Sequence, residues 1–127
     1  MKRLLIVGCG DVATRALPLL GNTFRLSALA RSAPDVARLR ALGVDAAGAD
    51  LDDPASLATF DFSADCLLHS APPPGNGEGD SRTVHLAAAL AHAGKCGVMV
   101  PRHIVYLGTS GVYGDCAGDW VDETRAL

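Results

Sequence analysis

No run of 18 or more apolar residues occurs anywhere in the 127-residue chain, which excludes a membrane-spanning helix. The opening Met1-Lys2-Arg3 followed by Leu4-Leu5-Ile6-Val7 imitates a secretory leader, but the apolar run stops at Gly8, too short for one. The reading is a cytoplasmic protein. No basic stripe is present either: 11 Lys and Arg are scattered among 14 Asp and Glu, for a formal charge of −3. Aromatics are few as well, with 3 Phe, 2 Tyr and 1 Trp, so a nucleic-acid partner is not expected. Cys9, Cys66, Cys96 and Cys116 form no C-x-x-C knuckle, and His85, His92 and His103 show no ligand spacing with carboxylates or cysteines. No metal site is expected, and the thiols read as reduced, small core hydrophobes. A hydrophobic content of 49% excludes a disordered acidic tail and suits one domain of ordinary size.

What is present is an alternation. Short continuous apolar runs are separated by longer segments of helical period, the pattern of a parallel sheet covered on both faces by crossover helices. Arg3 to Val7 is the first strand, followed by glycines and a helix from about Asp11 to Leu20 that Gly21-Asn22 stops. Phe24 to Ala30 is the second. Pro34 opens the next helix, whose Val36, Leu39 and Leu42 share one face before Gly43 ends it. Val44 to Ala47 is a short third strand, and Asp53-Pro54 caps a brief helix to about Phe60. Cys66 to His69 is the fourth strand. A proline- and glycine-rich loop then leads to an alanine-rich helix from about Asp80 to Ala93, terminated by Gly94, and Ile104 to Leu107 is the last strand. The expected fold is a three-layer, doubly wound α/β domain of about five parallel strands, with no internal repeat and no linker.

Gly8-Cys9-Gly10-Asp11-Val12-Ala13 matches the G-x-G-x-x-G/A dinucleotide fingerprint in its required context, after the first strand and opening the first helix. Gly8 permits a tight turn, Gly10 lets backbone approach a pyrophosphate, and Ala13 keeps the helix close to the sheet. NAD-binding domains usually place an acid about twenty residues further on, to accept from the ribose 2′-hydroxyl. Here Ala30-Arg31-Ser32 stands at that point, and an arginine suits a 2′-phosphate, so NADP is expected over NAD. Asp50-Leu51, beyond the third strand, either meets the adenine or belongs with Asp52 and Asp53 to the start of the following helix. Ser70-Ala71-Pro72 leaves the carboxyl end of the fourth strand, where open parallel sheets hold ligands. His69 beside it reads as a satisfied strand-end histidine rather than a catalyst.

The segment Leu107-Gly108-Thr109-Ser110-Gly111-Val112-Tyr113-Gly114, taken with the glycine fingerprint, the Asp50-Leu51 position and the Ser70-Ala71-Pro72 loop, resembles the short-chain dehydrogenase/reductase superfamily. The likeness is to the N-terminal Rossmann portion of its extended or atypical NAD(P)-dependent epimerase/dehydratase branch. It implies that Thr109, with Ser110 as the substitute, holds a substrate oxygen while a tyrosine moves a proton and the nicotinamide carries hydride. The tyrosine of that family works with a lysine four residues later. Lys2 and Lys95 are the only lysines here, and neither Tyr106 nor Tyr113 has one at that spacing. The resemblance also implies a substrate-binding region that this chain does not contain.

Two functional classes follow. One is the cofactor-binding domain of an oxidoreductase or epimerase/dehydratase-like protein, acting on a small carbonyl, hydroxyl or sugar-type substrate. The other is a module that binds or senses NADP(H) without chemistry. The helix from Asp80 to Ala93 carries Val84, Leu86, Ala88, Leu90 and Ala91 around much of its circumference, so self-association through it is expected.

Overall fold

A computed structural model describes residues 1–75, 79–108 and 113–127 of the chain. The first apolar run forms β1 (Lys2–Val7), and its branched, fully apolar end is what allows a strand to be buried on both sides. α1 (Asp11–Leu20), β2 (Phe24–Ala30), α2 (Ala33–Ala41), β3 (Asp45–Gly48) and α3 (Pro54–Leu57) follow. β4 (Cys66–His69), α4 (Ser81–Lys95) and β5 (His103–Tyr106) complete the elements. The strands form one parallel sheet in the order β3-β2-β1-β4-β5.

Side-chain alternation along β1 divides the core in two. Leu4 and Ile6 pack with Ala13, Leu17 and Leu39, beneath α1 and α2. Leu5 and Val7 pack on the opposite face with Leu57, Phe62, Leu67 and Leu86, beneath α3 and α4. Helices on both faces of a parallel sheet make the expected three-layer, doubly wound α/β architecture. Chain direction across the sheet reverses between β1 and β4, so the carboxyl ends of these two strands flank the crevice where open α/β sheets bind ligands.

Several boundaries differ from expectation for local reasons. α3 is a single turn ending at Leu57 rather than running to Phe60, because Phe62 enters the core outside any helix and Phe60 packs against it with the rings tilted, centroids 4.9 Å apart. Gly94 does not stop α4, which continues to Lys95; the left-handed residue that ends it is Gly97 (φ 84°), which places the Val98 amide on the Ala93 carbonyl. Leu42 does not join Val36 and Leu39 on the core face but is 54% exposed, since α2 has already ended. β5 departs furthest. Ile104, Val105 and Tyr106 are each more than half exposed, so among the described residues this edge strand lacks the two-sided helical cover that its composition suggests. Among the described residues, no helix is long and apolar enough to cross a membrane.

Candidate functional site

The site begins with the turn after β1. Gly8 adopts φ 86°, and a β-carbon built on it would stand 2.3 Å from the Ala71 nitrogen, so only glycine fits there. The loop after β4 is fastened to the same turn: the Ser70 amide donates to the Val7 carbonyl at 2.8 Å, and Ser70 Oγ donates to the Gly8 carbonyl at 2.7 Å. Gly10 is the N-cap of α1 and supplies no capping side chain, while a β-carbon at Gly10 would meet nothing within 4 Å. The first-turn amides thus lack a side-chain acceptor beside open space, the arrangement that suits an anion. Ala13 is buried, which brings α1 close to the sheet.

A cleft of about 340 Å³ opens over these ends. Of the residues singled out in the sequence, Gly8, Cys9, Gly10, Arg31, Asp50, Leu51, Ser70, Ala71 and Pro72 line it together. Asp11, Val12 and Ser32 lie outside the lining. Asp11 pairs with Arg15 on the exposed side of α1, and Val12 is 67% exposed. Ser32 caps α2, its Oγ accepting from the Asp35 amide at 3.2 Å and donating to the Asp35 carboxylate. Thr109 and Ser110 lie outside the described residues.

The acidic segment after β3 divides its work. Asp53 accepts from the Ala55 amide as the α3 N-cap. Asp50 Oδ1 accepts from the Asp52 amide at 2.8 Å, and Ser56 Oγ ties the Asp50 backbone to the same turn. Asp52 is not a helix-start residue. Its two carboxylate oxygens accept from Arg82 Nε and Nη2, each at 2.9 Å, and this hydrogen bonding leads the causes that hold the Asp52 carboxyl below its ordinary pKa.

Three charged groups in the lining escape sequence inspection. Arg38 Nη2 donates to the Cys9 carbonyl at 3.2 Å and its Nε pairs with Asp35 at 3.6 Å, so the second turn of α2 holds the glycine loop from outside. The spacing of Asp35 and Arg38 on a helix capped by Ser32 is the only local signal for this pair. Arg82 has no such signal, since its partner Asp52 lies 30 residues earlier.

His69 ends β4 almost completely buried. Thr83 Oγ1 donates to Asp80 Oδ2 at 2.6 Å, so it must accept from His69 Nε2–H at 2.8 Å. The ring is then the neutral Nε2–H tautomer, with Nδ1 left without a partner among the described residues. Burial lowers the His69 pKa. The Asp80 carboxylate opposes that shift, as does the Val7 carbonyl, which stands near the ring outside hydrogen-bond geometry. Tyr106 also donates to Asp80, at 3.3 Å, so the first turn of α4 gathers the ends of β4 and β5. His69 is thus satisfied at one nitrogen only.

All four cysteines are free. Cys9 and Cys66, half-buried, pack against the core beneath α1 and α2 as small hydrophobes, whereas Cys116 is half-buried outside both core clusters and Cys96 is exposed. Among the described residues, no group of three or more His, Cys, Asp or Glu is placed to hold a metal ion.

No protein-family model matches the sequence, and no curated protein matches it. Solved structures do. Over its whole length the chain aligns with a protein designated gox2253 at a TM-score of 0.74 and 24% identity, covering 40% of that chain. A functionally unknown conserved protein from Silicibacter pomeroyi DSS aligns over 100% of this chain and 42% of its own, with a TM-score of 0.68 and 26% identity. Triphenylmethane reductase from Citrobacter sp., solved with NADP(H), aligns over 89% of this chain and 39% of its own, with a TM-score of 0.64 and 20% identity. The fold is that of these proteins, a Rossmann-like α/β sheet. The chain spans about two fifths of the length of each.

Proposed function

We propose that this chain is the NADP(H)-binding domain of a short-chain dehydrogenase/reductase-like oxidoreductase. One observation carries the reading: the glycine turn at Gly8, closed against Ala71 at the switch point, shares a single cleft with Arg31 at the end of β2. The first element accommodates a pyrophosphate at a helix N-terminus; the second puts a guanidinium where an NAD-specific domain puts a carboxylate. The residues present fit the dinucleotide. Gly8, Cys9 and Gly10 with the first-turn amides of Asp11 and Val12 hold the pyrophosphate, Arg31 and Ser32 take the 2′-phosphate, Asp50 and Leu51 take the adenine side, and Ser70-Ala71-Pro72 flanks the nicotinamide ribose. The solved complex of triphenylmethane reductase with NADP(H), which shares the fold, supports the choice of cofactor.

Bound there, the nicotinamide supplies or accepts hydride, and this chain's residues bind and orient it. Thr109 and Ser110 are proposed to hold the oxygen of a small carbonyl, hydroxyl or sugar-type substrate. A module that binds NADP(H) without chemistry is the second reading.

Calorimetric titration of the chain with NADPH and NADH, beside an Arg31→Asp variant, tests the cofactor assignment. The expected result is tighter binding of NADPH by the parent and loss of that preference, by about tenfold or more, in the variant. Equal binding of both cofactors by the parent, or an unchanged preference in the variant, overturns the Arg31 assignment, and binding of neither overturns the function. Whether turnover accompanies binding separates the two readings.

A further inference from the structure

We propose that Arg82 sets the cofactor preference of the cleft by keeping the Asp52 carboxylate away from Arg31, an inference that rests on the NADP(H) reading above. Arg82 lies in the first turn of α4 and lines the cleft opposite the end of β2. Its side chain is 19% exposed and fully committed in one direction: Nε and Nη2 grip both oxygens of Asp52 at 2.9 Å, and Nη1 donates to the Pro72 carbonyl at 3.0 Å. One guanidinium therefore ties the loop after β3 to the loop after β4. The planar fork suits this bidentate grip, which a lysine does not reproduce.

Holding Asp52 matters because of what stands near it. β2 and β3 are paired neighbours with Ala30 opposite Gly48, so Arg31 and the segment that carries Asp52 leave the same edge of the sheet. Arg31 is one of the cations that, behind Arg82, lower the Asp52 pKa. Arg31 lines the same cleft as Arg82, and among the described residues its side chain makes no hydrogen bond or ion pair. A carboxylate released from Arg82 would have Arg31 as its principal remaining partner. Two consequences follow for a 2′-phosphate: its cation would be occupied, and a negative charge would stand beside it. A cofactor with a plain 2′-hydroxyl would suffer neither penalty. Arg82 is thus a positioning residue that acts on the cofactor through Asp52 and Arg31.

The test is titration of NADPH and NADH into the parent, Arg82→Gln, Asp52→Asn and the double variant, each checked for its melting temperature. Arg82→Gln is expected to weaken NADPH by about tenfold while changing NADH much less, and the double variant to regain most of the NADPH affinity. Asp52→Asn alone is expected to keep the preference for NADPH, because the acid that Arg82 restrains is gone. A scaffold role alone would weaken both cofactors together and would not be rescued by removing a second partner. The inference is overturned if Arg82→Gln lowers both affinities equally, if the double variant shows no recovery, or if Asp52→Asn loses the preference. That last arm decides the matter even where Arg82→Gln does not fold. A parent that binds neither cofactor removes the NADP(H) reading, and this inference with it. A parent that prefers NADPH with an Arg82→Gln variant that prefers it equally removes this inference alone.

Discussion

The β-carbon that Gly8 lacks would lie 2.3 Å from the backbone nitrogen of Ala71 and 2.5 Å from its Cα. Neither is the tip of a side chain that can swing aside. Both belong to the loop that Ser70 fastens to the same turn. Gly8→Ala must therefore push the β1 and β4 ends apart in addition to straining a residue at φ 86°, where the left-handed backbone alone costs roughly 1–2 kcal/mol. The expected outcome is a loss of more than about 2 kcal/mol in denaturant unfolding together with loss of NADPH binding. Gly10→Ala, which meets no atom, should leave stability within about 1 kcal/mol of the parent. Equal destabilisation by both changes would contradict the close-approach argument.

His69 predicts a pH dependence. Its folded pKa lies below the ordinary 6.5, so the unfolded chain binds more protons at this site than the folded one wherever the pH is under that value. Stability is then highest above pH 6.5 and falls as the pH drops toward the folded pKa, with a slope of up to about 1.4 kcal/mol per pH unit from this group. Urea unfolding between pH 5 and 8 measures it. His69→Gln, which keeps a polar group for Thr83 but cannot titrate, is expected to lose stability overall and to flatten the fall below pH 6.5. A parent whose stability is level across this window would overturn the assignment of a buried neutral imidazole. Losses below the ordinary carboxyl pKa of 3.8 belong instead to Asp52, Asp61, Asp80 and Asp122, whose pKa values are lowered chiefly by side-chain hydrogen bonds from Arg82, Ser63, Thr83 and Thr124 respectively.

Ser32 separates a structural role from a binding one. Its hydroxyl is engaged with Asp35 at the start of α2 and does not line the cleft. Ser32→Ala is therefore expected to cost about 1 kcal/mol of stability, the usual loss of an N-cap oxygen. If Ser32 also reaches the 2′-phosphate, NADPH affinity falls by several-fold in the same variant while NADH affinity does not. If both cofactors bind as before, the contact assigned to Ser32 is removed and the cap alone remains.

Much of the fold is legible because it rests on local signals. The glycine turn, the Asp53 N-cap and the apolar run of β1 each announce themselves within a few residues. Nine of the residues singled out for the cofactor come together in the cleft because the carboxyl ends of parallel strands share one edge, a consequence of topology rather than of side chains. The Arg82–Asp52 pair is invisible in sequence, since its members are 30 residues apart and its geometry depends on how α4 lies over the sheet. Cys66 in its apolar run does pack against the core, but its strand position beside the edge strand β5 leaves it half-buried. The exposure of β5 likewise depends on neighbours that no local pattern encodes.

Cys9 offers a chemical readout of the cleft without any substitution. It is half-buried in the cleft lining between Gly8 and Gly10, whereas Cys96 is exposed at the end of α4, away from the cleft. With a small alkylating reagent under native conditions, Cys96 should be modified first, because thiolate chemistry requires access. Cys9 should follow more slowly, and peptide mass spectrometry resolves the two. Saturating NADPH is then expected to slow Cys9 by about tenfold or more, since a bound pyrophosphate covers the turn, while the Cys96 rate stays unchanged. Protection of both thiols would indicate a general tightening of the chain, and protection of neither would show that the dinucleotide does not lie over the Gly8–Gly10 turn.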